Sequence, residues 1–123
     1  MNSTGSRRIR ITGPARRDIE KVLQRSEAEF GTQAKRRYRA LLDRALQDLG
    51  ADSTRFGVKQ ADDVRAGYFL YHLRYSRTAI VQSVKKPRHI IAFYIDKSDA
   101  VVIARVFHER QMLSRHLTDG NES

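Results

Sequence analysis

The sequence predicts an α+β domain: an N-terminal strand, an α-helical hairpin packed on a small antiparallel β-sheet, and a short C-terminal helix. Two observations carry this. Apolar residues recur at helical spacing through the first half, and the second half consists of runs rich in β-branched and aromatic residues. Helices first and strands afterwards are the element order of an α+β layer fold. At 123 residues the chain suits a single domain that buries roughly two-thirds of its unfolded surface. The domain is expected over residues 7–117, between polar tails at 1–6 and 118–123.

Arg8 to Thr12 alternates charged and apolar residues, the period of a short half-buried strand. Gly13-Pro14 breaks it, and Pro is tolerated in the first turn of a helix. Ala15, Ile19, Val22, Leu23, Ser26 and Phe30 then repeat at helical spacing, with Asp18 and Glu20 near the positive helix start. Gly31 suits the helix end and Thr32 a cap for the next helix. Ala34, Tyr38, Leu41, Leu42, Ala45 and Leu49 form a second stripe, which Gly50 is expected to end. A two-residue connection between such helices makes a tight antiparallel hairpin. Further on, Phe69, Tyr71, Leu73 and Tyr75 would share one strand face. His89 to Ile95 and Val101 to His108 read as strands joined by a turn at Lys97-Ser-Asp99. Ala79 to Val84 fits a strand or a loop equally, and Glu109 to Leu117 reads as the terminal helix.

Charge is the strongest compositional signal. There are 24 Lys+Arg against 14 Asp+Glu, a net charge of +10, which favours an acidic or polyanionic partner. The absence of Cys removes disulfides, thiolate metal sites and Cys nucleophiles. The longest apolar run, Ile90 to Ile95, is far short of the ~20 residues of a membrane span, and the N-terminus has no apolar signal core. No cofactor, no metal and no membrane contact are expected, and the location is expected to be cytoplasmic.

Three basic stretches are candidates for function. Lys35-Arg36-Arg37-Tyr38-Arg39 lies on a helix whose other face is apolar; a solvated face and an anion-binding face weigh equally. Lys85-Lys86-Pro87-Arg88-His89 enters a strand and reads first as a solvated loop. In Arg105-Val106-Phe107-His108-Glu109-Arg110, Arg105 sits among apolar residues and requires an acceptor; a carboxylate locking sheet to helix is favoured over a phosphate. Metal-free RNA cleavage needs a base, an acid and a cation. Arg65, Arg105 and His108 supply a cation and one acid/base, but a second acid/base is not evident, since Glu109 would point away from His108 along a strand. No Gly-rich phosphate loop or nucleophile elbow is present.

Taken together, Arg65-Ala66-Gly67-Tyr68, Tyr71-His72-Leu73-Arg74, Pro87-Arg88-His89, Ala104 to Arg110 and Leu113-Ser114-Arg115-His116-Leu117 resemble the ParE toxins of bacterial type II toxin–antitoxin systems, within the ParE/RelE superfamily. Asp18-Ile19, Phe30-Gly31, Ala34 and Tyr38 add to the likeness, which runs from about Arg8 to Leu117. The resemblance implies a helix hairpin on a small antiparallel sheet, and a toxin that binds and poisons DNA gyrase. It also implies a ParD-like antitoxin with an acidic C-terminal tail as partner, with direct nucleic-acid contact secondary. It places target binding in the C-terminal region, here roughly Arg105 to Leu117, and within that region Arg105, His108, Arg110, Arg115 and His116 are the expected target contacts. The basic helix face, Lys35, Arg36 and Arg39, is the expected antitoxin contact. Many relatives carry an acidic residue where this chain has Met112, and the stretch from Tyr75 to Lys86 is longer than in shorter relatives. RelE-like siblings share the fold and cut messenger RNA on the ribosome. That is the alternative, with Arg65 and Arg105 on the phosphate and His108 as acid or base.

Overall fold

A computed structural model describes residues 6–79 and 84–111. Strand β1 (Ile9–Ile11) leads into helix α1 (Gly13–Phe30) and helix α2 (Thr32–Ala51). Then follow β2 (Lys59–Gln60), β3 (Phe69–His72), β4 (His89–Ile95) and β5 (Val101–His108). The strands form one sheet in the order β1-β5-β4-β3-β2. All neighbours are antiparallel except β1, which lies parallel to β5 with Ile9 opposite Val101 and Ile11 opposite Ile103.

The helix hairpin covers one face of the sheet. Leu41, Leu42, Ala45 and Leu49 of α2 and Ala15 and Leu23 of α1 pack on Tyr71, Ile91, Phe93, Val101, Ile103 and Val106. Thr12 starts α1, its Oγ1 accepting the Ala15 N–H at 3.2 Å. The same oxygen lies 3.0 Å from Ile103 O, so the cap also ties the helix start to β5. Gly31 alone joins the helices, at φ 96°, a conformation open mainly to glycine. The connection is therefore one residue shorter than expected, and Thr32 is the first residue of α2, its hydroxyl turned to Glu27.

Three further expectations change. Phe30 is exposed rather than part of the stripe; it is the last residue of α1, at the hairpin turn, and no core residue covers it. Gly50 does not end α2; it is buried inside it, where the Arg7 carbonyl lies 3.1 Å from the place of a Cβ. The strand holding Phe69 and Tyr71 stops at His72, and Leu73–Tyr75 turns as a 3₁₀ helix. A second 3₁₀ turn, Arg77–Ala79, opens the stretch read as strand or loop, and residues 80–83 lie outside the described residues. So do the tails at 1–5 and 118–123 and the greater part of the expected terminal helix; residues 109–111 are helical. The short edge strand β2 had no sequence signal. No described helix is long and apolar enough to cross a membrane.

Candidate functional site

The polar groups gather at one end of the sheet, where β3 ends, β4 begins and β5 ends. His89 pairs with His108 across β4 and β5, and His72 with Ile90 across β3 and β4. On the helix-covered side, Tyr38 of α2 brings its hydroxyl 2.6 Å from His89 Nδ1. The Arg88 N–H donates to the same oxygen at 3.1 Å, so Tyr38 ties the start of β4 to α2 through both residues. Burial pushes the Tyr38 hydroxyl up to about 12 and the His89 imidazole down to about 4, helped at His89 by the neighbouring His108 and His72. The His108 ring stands edge-on to His89, with centroids 5.2 Å apart.

On the other side, His72 Nδ1 accepts the Arg74 N–H, so its Nε2–H donates to Glu109, at 2.8 Å. Arg88 donates to the second Glu109 oxygen at 3.0 Å. These two hydrogen bonds hold the Glu109 carboxyl below the usual carboxylate range. The trio forms one wall of a cavity of about 330 Å³, completed by Arg74, Arg77, Lys85, Lys86 and Pro87.

His108 has a structural duty as well. Its Nδ1 accepts the Arg110 N–H at 3.0 Å, and Gln111 Oε1 accepts the His108 N–H at 2.8 Å. This is a reciprocal capping box that opens the terminal helix, with histidine as the cap. The turn it starts is also what swings Glu109 off the strand line and toward His72.

Arg105 takes the structural role that its surroundings favoured. It donates to both oxygens of Asp18 on α1, at 2.8 and 3.1 Å, and the Val106 N–H donates to Asp18 at 2.9 Å. Its side chain is nevertheless half-exposed; it lies two residues past Ile103, where the pairing of β1 with β5 ends, and next to Ala104, the extra residue at the register shift opposite Ala92 and Phe93. Arg65 lies elsewhere: its guanidinium is 5.8 Å from the Tyr68 ring centroid, and Tyr68 stacks on Tyr94. Tyr94 is five residues from His89 along β4, roughly 17 Å at strand rise. Arg65 and His108 thus sit at opposite ends of the sheet, and Arg65, Arg105 and His108 form no common site.

Among the antitoxin candidates, Lys35 pairs with Glu27 at 3.5 Å. Arg36 and Arg39 are exposed, with no hydrogen bond or ion pair to the described residues. Arg110 is exposed; Arg115, His116 and Met112 lie outside the described residues. Sequence reasoning missed His72, Arg88, His89 and Glu109 as a group, and counted Tyr38 only as core. The signal was present as His72-Leu73-Arg74, Arg88-His89 and His108-Glu109 on three consecutive strands, but needed the strand register to connect it. Among the described residues no group of three or more His, Asp or Glu side chains is placed to hold a metal ion.

Comparison with known proteins gives two findings. A family model described as the ParE toxin of the type II toxin–antitoxin system parDE matches residues 9–113. The crystal structure of the toxin–antitoxin complex RelBE2 from Mycobacterium tuberculosis contains a chain of similar fold. It is 24% identical, with a TM-score of 0.54 over 85% of this chain and 93% of that one. No curated protein matches in sequence.

Proposed function

Because the chain belongs to the ParE toxin family of type II toxin–antitoxin systems, we propose that it arrests growth by binding and poisoning DNA gyrase. Toxin in such a pair, it has a cognate antitoxin as partner. The observation that carries the binding reading over RNA cleavage is the dispersal of the cleavage set. Arg105 is engaged by Asp18, Arg65 stands at the far end of the sheet, and His108 spends Nδ1 on a helix cap. A phosphorane-stabilising cation and an acid/base pair must converge on one phosphate, and these residues do not converge. The C-terminal end of β5 and the helix that His108 opens carry Arg110, with Arg115 and His116 further along the chain. They supply the cations for a protein target.

The test is purified toxin with gyrase, ATP and relaxed plasmid, with and without antitoxin, read on a gel as supercoiling and trapped double-strand breaks. Inhibition or trapped breaks that antitoxin reverses are expected. Charge removal at Arg110 and Arg115 together is expected to abolish them while circular dichroism stays unchanged. Gyrase left untouched by a preparation that arrests growth overturns the proposal. It leaves ribosome-dependent RNA cleavage, for which His108→Gln is then the first variant.

A further inference from the structure

The cavity beside Glu109 has an unbalanced charge. Five cationic side chains, Arg74, Arg77, Lys85, Lys86 and Arg88, face a single carboxylate, and Glu109 is already bonded by His72 and Arg88. Several cations elsewhere are matched by carboxylates, Arg7 with Asp99, Arg10 with Asp96, Arg44 and Arg55 with Asp48, Arg105 with Asp18, while others such as Arg36 and Arg39 stand singly on a convex helix face and not around a concavity. Lys85 and Lys86 are exposed, without such a partner among the described residues.

The chain that carries these cations is anchored. Pro87 is buried between them, the Arg88 N–H is bonded to Tyr38, and Arg77 Nε donates to Val84 O at 2.8 Å. Like charges gathered around one concavity repel, and the arrangement is relieved by an anion bearing several negative charges.

A second feature narrows the anion. Arg74, on the cavity wall, lies with its guanidinium carbon 5.0 Å from the Tyr75 ring centroid and donates to the Tyr75 hydroxyl at 3.0 Å. Phe56 meets the Tyr75 ring edge-on at 5.6 Å and is 86% exposed. An arginine–tyrosine–phenylalanine ladder thus leads out of the cationic cavity to a bare aromatic face. A cationic track ending on an aromatic platform is the physical recipe for an unpaired nucleic-acid strand, phosphates on the cations and a base on the ring. An acidic peptide would use the cations and leave the platform idle.

We propose that this cavity and the Phe56–Tyr75 platform bind a single nucleic-acid strand. The site does not depend on the identity of the toxin's target. Unpaired DNA and RNA share the phosphodiester chemistry, and the 2′-hydroxyl separates them.

The test is fluorescence anisotropy of the full chain with labelled 12-mers of dT and of U, a labelled DNA duplex and a labelled polyglutamate peptide, over a salt series. Single strands are expected to bind tightest, and the preferred sugar identifies the source. Lys85→Gln with Lys86→Gln is expected to weaken binding about tenfold and to flatten the log–log salt slope by about 1.4. Arg36→Gln with Arg39→Gln, which removes the same charge from α2, is expected to change neither. Phe56→Ala, at an exposed site that folding does not need, is expected to weaken binding at least fivefold with the slope unchanged. No oligonucleotide binding at low salt, polyglutamate binding as tightly as the strands, or equal losses from the two charge pairs would each overturn the proposal.

Discussion

At the scale of the residue, Asp18 and His89 carry consequences that can be measured. Asp18 accepts three hydrogen bonds, two from Arg105 and one from the Val106 N–H, in a side chain only 14% exposed. Asp18→Asn keeps the shape but loses the charge, and the amide nitrogen then faces donors. A loss of about 1–3 kcal/mol is expected in urea denaturation. Arg105→Ala in the same background is expected to cost much less than in the wild type, because the two side chains act as a unit. His89 links stability to pH. An ordinary imidazole takes up its proton near 6.5, whereas His89 in the folded chain does so near 4. Between those values the unfolded chain holds a proton that the folded one does not. His89 therefore contributes fully above pH 6.5, and its contribution falls as pH drops toward 4, by about 3 kcal/mol in all. Glu109, with its carboxyl held low, also loses stabilisation on acidification. The difference between the wild-type and His89→Gln stability profiles isolates the histidine, and the variant is expected to have the shallower profile.

At the scale of the element, two glycines with similar φ separate strain from crowding. Gly31 has φ 96° and nothing within 4 Å of a would-be Cβ, while Gly57 has φ 100° and Tyr75 ring carbons 2.5 Å away. Gly31→Ala is expected to cost about 1 kcal/mol from backbone strain alone. Gly57→Ala must also displace the ring, and is expected to cost at least about 1 kcal/mol more in urea denaturation and to change the near-UV circular dichroism, which Gly31→Ala leaves alone. The same elements show what a sequence can tell. The hairpin was legible because Leu41, Leu42, Ala45 and Leu49 mark a helical stripe whatever lies opposite, and β4 and β5 because their β-forming runs are long. The inner place of Gly50 was not legible. It follows from the approach of Arg7, a contact between segments that no local pattern encodes. The candidate site was legible only in parts. The expectation that Arg105 pairs with a carboxylate held, but its partner lies 87 residues away and was read as a helix-start charge. The alternation rule sent Glu109 away from the other polar groups, and it fails because the chain leaves β5 for a helix at that residue.

At the scale of the whole molecule, the +10 charge governs encounter more than stability. We propose that the antitoxin approaches the hairpin with an acidic segment, where it would meet Arg36 and Arg39, which are exposed and have no ion-pair partner among the described residues, and Lys35, which is paired with Glu27. Reversal of all three to Glu is expected to slow association with the antitoxin at least tenfold at low ionic strength and far less at 0.5 M salt, in stopped-flow measurements. Most of that loss is expected from the two arginines. An unchanged on-rate would place the antitoxin on another face.

The parallel pairing of β1 with β5 has a mechanical side. These two neighbouring strands stand near the two ends of the described chain, and they run in the same direction. A force that draws the segment before Ile9 away from the segment after His108 slides one strand along the other. It loads their hydrogen bonds together instead of opening them one at a time. The Arg7 tie to Asp99 and the Thr12 tie to Ile103 cross the same seam and share the load, while the Arg7 bonds to Gly50 and Ser53 hold the start of β1 to the end of α2. A threading protease pulling on one end against the bulk of the domain therefore meets the fold in shear, its most resistant direction.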